Sequence, residues 1–123
     1  MNWERLRKDI RDLSYAHTIA IDDDYTSLVV RNFNLPSGYN FSQIHVMLTL
    51  PTSYPENSPG IGSSKVYVPE NLRFNGRKPN DFHESIGPVG WAWWCYEWIE
   101  WKPYKDNLIT FFEMLRAHMT NPR

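Results

Sequence analysis

Cys95 is the only cysteine in this sequence of 123 residues, and it lies in the stretch Trp91 to Trp101, which holds five of the six tryptophans. A thiol in such company is either a small apolar filler or a nucleophile awaiting a partner. Its immediate sequence neighbours do not favour a thiolate. Glu97 and Glu100 bring negative charge, and Lys102 is the only nearby cation in sequence. The polar side chains ahead of it are Asn80, His83 and Ser85. Each can donate a hydrogen bond to an oxyanion formed at a carbonyl under attack.

Other chemistries find little support. Hydrolysis by a papain-like thiol needs a histidine base; His83 is the nearest in sequence, and no motif joins the two. His17, His45, His83 and His118 are too dispersed in sequence to suggest a metal site. There is no CxxC and no HExxH, and Gly60-Ile61-Gly62 is a glycine pair without a following helix. Tryptophan faces can stack on sugars or single-stranded nucleic acid, but Glu97 and Glu100 oppose a polyanion there, and the net charge of −1 argues against nonspecific nucleic-acid binding.

The elements that must position these residues can be read from periodicity. Asn2 is placed to cap a helix with Trp3, Leu6, Ile10 and Leu13 on its apolar stripe. Its other face mixes Arg5, Arg7, Lys8 and Arg11 with Glu4, Asp9 and Asp12. Such a face is either simply solvated or a basic docking surface carried by Arg5, Arg7 and Lys8. Thr18–Ile21 and Ser27–Arg31 read as strands joined by a turn at Asp22-Asp23-Asp24, and Asn32–Asn40 as a loop. Gln43–Leu50 alternates Ile44, Val46, Leu48 and Leu50 with polar positions, as a half-buried strand does, and leaves His45 on the surface. Prolines and glycines in Pro51–Gly62 stop the sheet. Lys65–Val68 is a further short strand, and Glu70–Gly90 a long irregular segment.

Around Cys95 two readings compete. Trp91, Trp94, Trp98 and Trp101 have helical spacing. The alternative, which we favour, is an extended approach followed by a short helical turn beginning near Cys95, with Trp93 available to a partner. Asp106 is a candidate cap for a last helix with Leu108, Phe111, Phe112, Leu115 and Met119 buried and Pro122 beyond its end. The expected class is α+β, one domain over residues 1–123: an amino-terminal helix, a short antiparallel meander, an irregular active-site segment and a carboxyl-terminal helix packed on the sheet. With no signal-like start and no run near the roughly 20 apolar residues of a membrane span, a cytoplasmic protein is expected, with no membrane or nucleic-acid partner.

In this order of features the chain resembles the ubiquitin-conjugating enzyme superfamily, most closely its prokaryotic branches. The resemblance runs over residues 3–120. It rests on the amphipathic first helix, on Leu48 to Pro55 ending in Tyr54-Pro55 and followed by Ser58-Pro59, on one cysteine after an irregular segment, and on Trp101-Lys102-Pro103 ahead of the last helix. The family's His-Pro-Asn has its nearest counterpart in Lys78-Pro79-Asn80, 15 residues before Cys95, farther than the family places it and with lysine for histidine. Trp101 follows Cys95 by six residues, closer than is usual there. The family's extra carboxyl-terminal helices are not seen in this sequence, as in the shortened prokaryotic forms.

The resemblance implies a carrier that takes a ubiquitin-like protein as a thioester on Cys95 from an activating enzyme and passes it to an amine on an acceptor. No cofactor is called for. Asn80 or His83 would steady the oxyanion, and Arg5, Arg7, Lys8 and Trp93 would face partners. Related bacterial proteins belong to operons with an activating enzyme, a ubiquitin-like protein and a deubiquitinase-like peptidase, some of them acting against phage. A catalytically silent module that binds a ubiquitin-like protein noncovalently is the alternative.

Overall fold

The computed structural model describes residues 1–84, 87–96 and 99–122. Ser85, Glu97 and Trp98, which entered the sequence reading, lie outside the described residues. The elements run α1 (Trp3–Ala16), β1 (Thr18–Ile21), β2 (Ser27–Asn34), β3 (Gln43–Thr49), β4 (Val66–Pro69), β5 (Phe82–His83), β6 (Trp91–Trp94) and α2 (Leu108–Thr120). The strands form one antiparallel sheet in the order β1-β2-β3-β4-β6-β5. Helix, antiparallel sheet and helix make the α+β class expected. Among the described residues no helix is long and apolar enough to cross a membrane.

Alternation sorts the two faces of the sheet. The pairs Val30↔Val46, Leu48↔Val66, Val68↔Ala92 and Phe82↔Trp94 lie on the buried face. Leu6, Ile10 and Leu13 of α1 and Leu108, Phe111, Phe112, Leu115 and Met119 of α2 belong to the same core. The opposite face carries a row of one residue per strand, Ala20, Val29, Met47, Tyr67, Trp93 and His83. Tyr67 in this row is buried without belonging to the main core.

Several expectations change. Asn2 caps α1 by accepting from the Arg5 amide at 3.0 Å, but Trp3 is 45% exposed and meets Tyr25 edge-on. Asp9, expected on the solvated face, is buried; three residues after Leu6 and four before Leu13, it falls on the inward side of the helix. β2 continues to Asn34 through a register shift between Val30 and Phe33, at which Asn32 has φ 55°, so the expected loop begins later. His45 is on the surface as expected, its Nδ1 accepting from the Asn32 amide at 3.3 Å.

The cap of α2 is Asn107, not Asp106. Its side chain accepts from the Thr110 amide at 3.0 Å while its own amide donates to Thr110 Oγ1 at 2.9 Å. This reciprocal pair satisfies two groups at once. Asp106 instead accepts from the Lys102 amide at 2.8 Å and fixes the turn before the helix.

Candidate functional site

The segment before Cys95 is a strand. In β6 the tryptophans alternate, Trp94 inward and Trp91 and Trp93 outward, so Trp91 and Trp94 share no helical stripe. Pairing on both sides explains this: β4 and β5 both pair with the β6 backbone, and a helix here would leave the facing groups of those strands without these partners. The helical turn expected from Cys95 falls partly on Glu97 and Trp98, outside the described residues. Cys95 and Tyr96 are themselves non-helical.

β5 lies inside the expected irregular segment and was not read from the sequence; two residues, Phe82 and His83, leave no periodic signal. It pairs Phe82 with Trp94 and His83 with Trp93. The Cys95 amide continues that ladder by donating to the Asp81 carbonyl at 3.1 Å. Trp94 Nε1 donates to the Asn80 carbonyl, also at 3.1 Å. The 14 residues between Asn80 and Cys95 are therefore largely a β5–β6 excursion whose two ends meet again. Asp81, which the sequence reading did not single out, is the residue opposite the cysteine; it is exposed and has φ 58°.

Asn80 is exposed and lines an open cleft of about 380 Å³ with Phe74, Asn75, Arg77, Lys78 and Pro79. The His83 ring stacks on the Trp93 indole with centroids 4.8 Å apart. Lys65 Nζ sits 4.1 Å from the centroid of the same indole, a cation–π contact, and also donates to the Gly62 carbonyl at 2.9 Å. Trp93 is thus half-buried, sharing its ring with two neighbours, and not a bare patch. Lys78 pairs with Glu84 at 2.7 Å and holds that carboxyl below its usual range, with Arg73 adding to the effect.

Cys95 is 9% exposed and, like Tyr67, is buried outside the contiguous core. Tyr96, the next residue, is deeply buried against Trp94 at 5.0 Å between centroids, and burial pushes its phenol well above the usual range.

The two proline motifs on either side of the cysteine are joined directly. Trp101 Nε1 donates to the Pro55 carbonyl at 2.7 Å, and the Tyr54 and Trp101 rings lie 5.8 Å apart. The Tyr54-Pro55 peptide bond is cis. Tyr54 is buried, and its hydroxyl donates to the Asp9 carboxylate. Burial, and then the Asp9 carboxylate, push the Tyr54 phenol above its usual range, so it stays a donor.

Of the basic residues on α1, Arg7 and Lys8 are exposed, Lys8 pairing with Asp12 at 2.9 Å. Arg5 is turned inward. Its Nε donates to Asp9 at 2.8 Å, its Nη1 to the Pro103 carbonyl at 2.9 Å and its Nη2 to the Asp106 carbonyl. Among the described residues no group of three or more His, Cys, Asp or Glu could hold a metal ion.

Residues 6–121 match the model of Prokaryotic E2 family E. The chain belongs to this family. Membership extends over nearly all the elements described, from α1 through α2, and carries at coarse level a ubiquitin-conjugating, transferase-type role. It also implies dealings with ubiquitin-like proteins and activating enzymes in general. No curated protein and no solved structure matches the chain.

Proposed function

We propose that this family member carries a ubiquitin-like protein as a thioester on Cys95, in a bacterial ubiquitin-like pathway of the kind that includes anti-phage systems. The observation that carries the reading is the position of Cys95. It directly follows β6, outside the main core, its amide bonded to Asp81, in the interval between Tyr54-Pro55 and Trp101-Lys102-Pro103. A cysteine kept only as filler would be expected within the core cluster.

In the first step the Cys95 sulfur, as thiolate, attacks the thioester carbonyl on the activating enzyme. A new C–S bond forms, the old one breaks, and the departing enzyme sulfur takes the proton. Like replaces like, so the exchange needs an accessible sulfur more than a strong base. In the second step an acceptor amine attacks the Cys95 thioester. The tetrahedral oxyanion collapses, expelling the Cys95 thiolate, and the proton given up by the amine nitrogen passes to that thiolate, restoring the thiol. A hydrogen-bond donor near the carbonyl lowers this barrier. Asn80, beside the Cys95–Asp81 ladder, is the donor we favour over His83, whose ring is engaged with Trp93. The Asp81 carboxylate provides a negative charge that suits an approaching ammonium group. Arg7 and Lys8 serve as the docking cations on α1.

The 9% exposure of Cys95 favours a second reading, a module of the same family that binds a ubiquitin-like protein without a covalent step. One experiment decides between them. The protein is incubated with an activating enzyme, ATP and the ubiquitin-like protein of the same operon, then run on a nonreducing gel. A reductant-sensitive adduct that is absent in Cys95→Ala supports the carrier. No adduct with an activating enzyme that is itself charged leaves the binding module.

A further inference from the structure

Arg5 belongs to a ring of contacts that closes on residues 101–106, downstream of Cys95 in sequence. Its guanidinium meets three acceptors: the Asp9 carboxylate, the Pro103 carbonyl and the Asp106 carbonyl. Asp9 also accepts from Tyr54, Tyr54 precedes Pro55, and the Pro55 carbonyl accepts from Trp101. Residues 101–106 are thereby held from two sides, by α1 through Arg5 and by the Tyr54-Pro55 turn through Trp101. Arg5 and Pro103 are 98 residues apart in sequence, so no local preference explains their meeting. Asp9 is 1% exposed and the Arg5 side chain 22%, which removes much of the screening that weakens surface pairs.

We propose that Arg5 is a positioning residue: it acts through Pro103, Asp106 and the Asp9–Tyr54 pair to hold residues 101–106, and release of that hold is the local opening that gives a reagent access to the Cys95 sulfur. This deepens the carrier reading and rests on it for its functional meaning. The role depends on the fork of the guanidinium. A lysine keeps the charge but offers one ammonium point, which cannot span a carboxylate and two separate carbonyls. A docking cation would tolerate that exchange; a positioning residue does not.

Because Cys95 is the only cysteine, its alkylation by iodoacetamide under native conditions reports that opening directly by mass. Arg5→Lys is expected to raise the alkylation rate about ten-fold, the population change that follows loss of one charge-assisted hydrogen bond from a local opening equilibrium. Tyr54→Phe, which leaves Arg5 bonded to all three acceptors, raises it less. Arg11→Lys, a change on exposed α1 surface, leaves it at the wild-type value. Val30→Ala, a core deletion in β2 remote from the ring, controls for general loss of stability. An Arg5→Lys rate equal to wild type, or equal to that of Val30→Ala at matched Tm, overturns the proposal. A wild-type protein that takes no thioester from a charged activating enzyme defeats the carrier reading instead, and the alkylation comparison still decides the role of Arg5.

Discussion

Trp101 donates its indole N–H to the carbonyl of Pro55 at 2.7 Å, across 46 residues of sequence. This bond joins the chain before the β5–β6 excursion to the chain after it. Cys95 lies between the two anchors in sequence, 40 residues after Pro55 and six before Trp101.

Replacing Trp101 with phenylalanine keeps an aromatic ring beside Tyr54 and Phe111 but removes the donor. The expected cost is about 1–2 kcal/mol, that of a part-buried carbonyl losing its partner. Urea unfolding should show a lower midpoint with an unchanged slope. An unaltered midpoint would mean that water replaces the indole without loss.

Two glycines just before β6 make a matched pair. Gly87 (φ 97°) and Gly90 (φ 90°) both hold backbone angles that other residues resist, but a Cβ at Gly87 would stand 2.3 Å from Tyr67 Cε1, whereas at Gly90 nothing lies within 4 Å. Alanine at Gly90 should cost about 1 kcal/mol from backbone strain alone. Alanine at Gly87 should cost clearly more and disturb the tyrosine packing, seen as a larger change in near-ultraviolet circular dichroism. Equal losses at the two sites would contradict the close approach of Gly87 to Tyr67.

His17 gives stability a pH dependence. Its ring packs with Phe33 and Phe112 at centroid distances of 6.1 and 6.4 Å, and burial lowers its pKa from the usual 6.5. The neutral form is the one the fold accommodates. Its contribution is therefore complete above pH 6.5, the unfolded value, and is lost as pH falls through the lower folded value. Tm measured from pH 7.5 downward should fall less steeply in His17→Leu than in wild type. Parallel profiles would exclude His17 as the titrating group.

Reversing Arg7 and Lys8 together to glutamate tests the docking face. The Lys8–Asp12 pair is surface-exposed, so stability should change by no more than about 1 kcal/mol. Thioester loading should slow several-fold, and the slowing should shrink as salt is raised. Loading at the wild-type rate would mean that this face is only solvated.

The elements that could be read directly are those whose side chains follow a local period over enough residues. Ile44, Val46 and Leu48 alternate in β3, and Leu6, Ile10 and Leu13 recur in α1, because each element buries one face against the same core. The order of Tyr54-Pro55, Cys95 and Trp101-Lys102-Pro103 was likewise enough to indicate the family, which the match over residues 6–121 bears out. The boundary of α2 was missed by one residue, since Asp106 and Asn107 both suit a cap and only the reciprocal bond with Thr110 separates them.

The surroundings of Cys95 were not legible in this way. Eleven residues rich in tryptophan fit a period of 3.6 about as well as one of 2, and what selects the strand is hydrogen bonding to β4 and β5, one of which is only two residues long. Asp81 comes opposite Cys95 through that same pairing. Arg5 looked like a surface charge because two of its three acceptors are carbonyls nearly a hundred residues away, and a carbonyl leaves no mark in sequence. By itself, then, the sequence determined the class of the fold, the family and the identity of the one thiol. Tertiary structure alone decided which groups stand beside that thiol and what holds them there, because backbone pairing and buried polar contacts join residues that sequence spacing keeps apart.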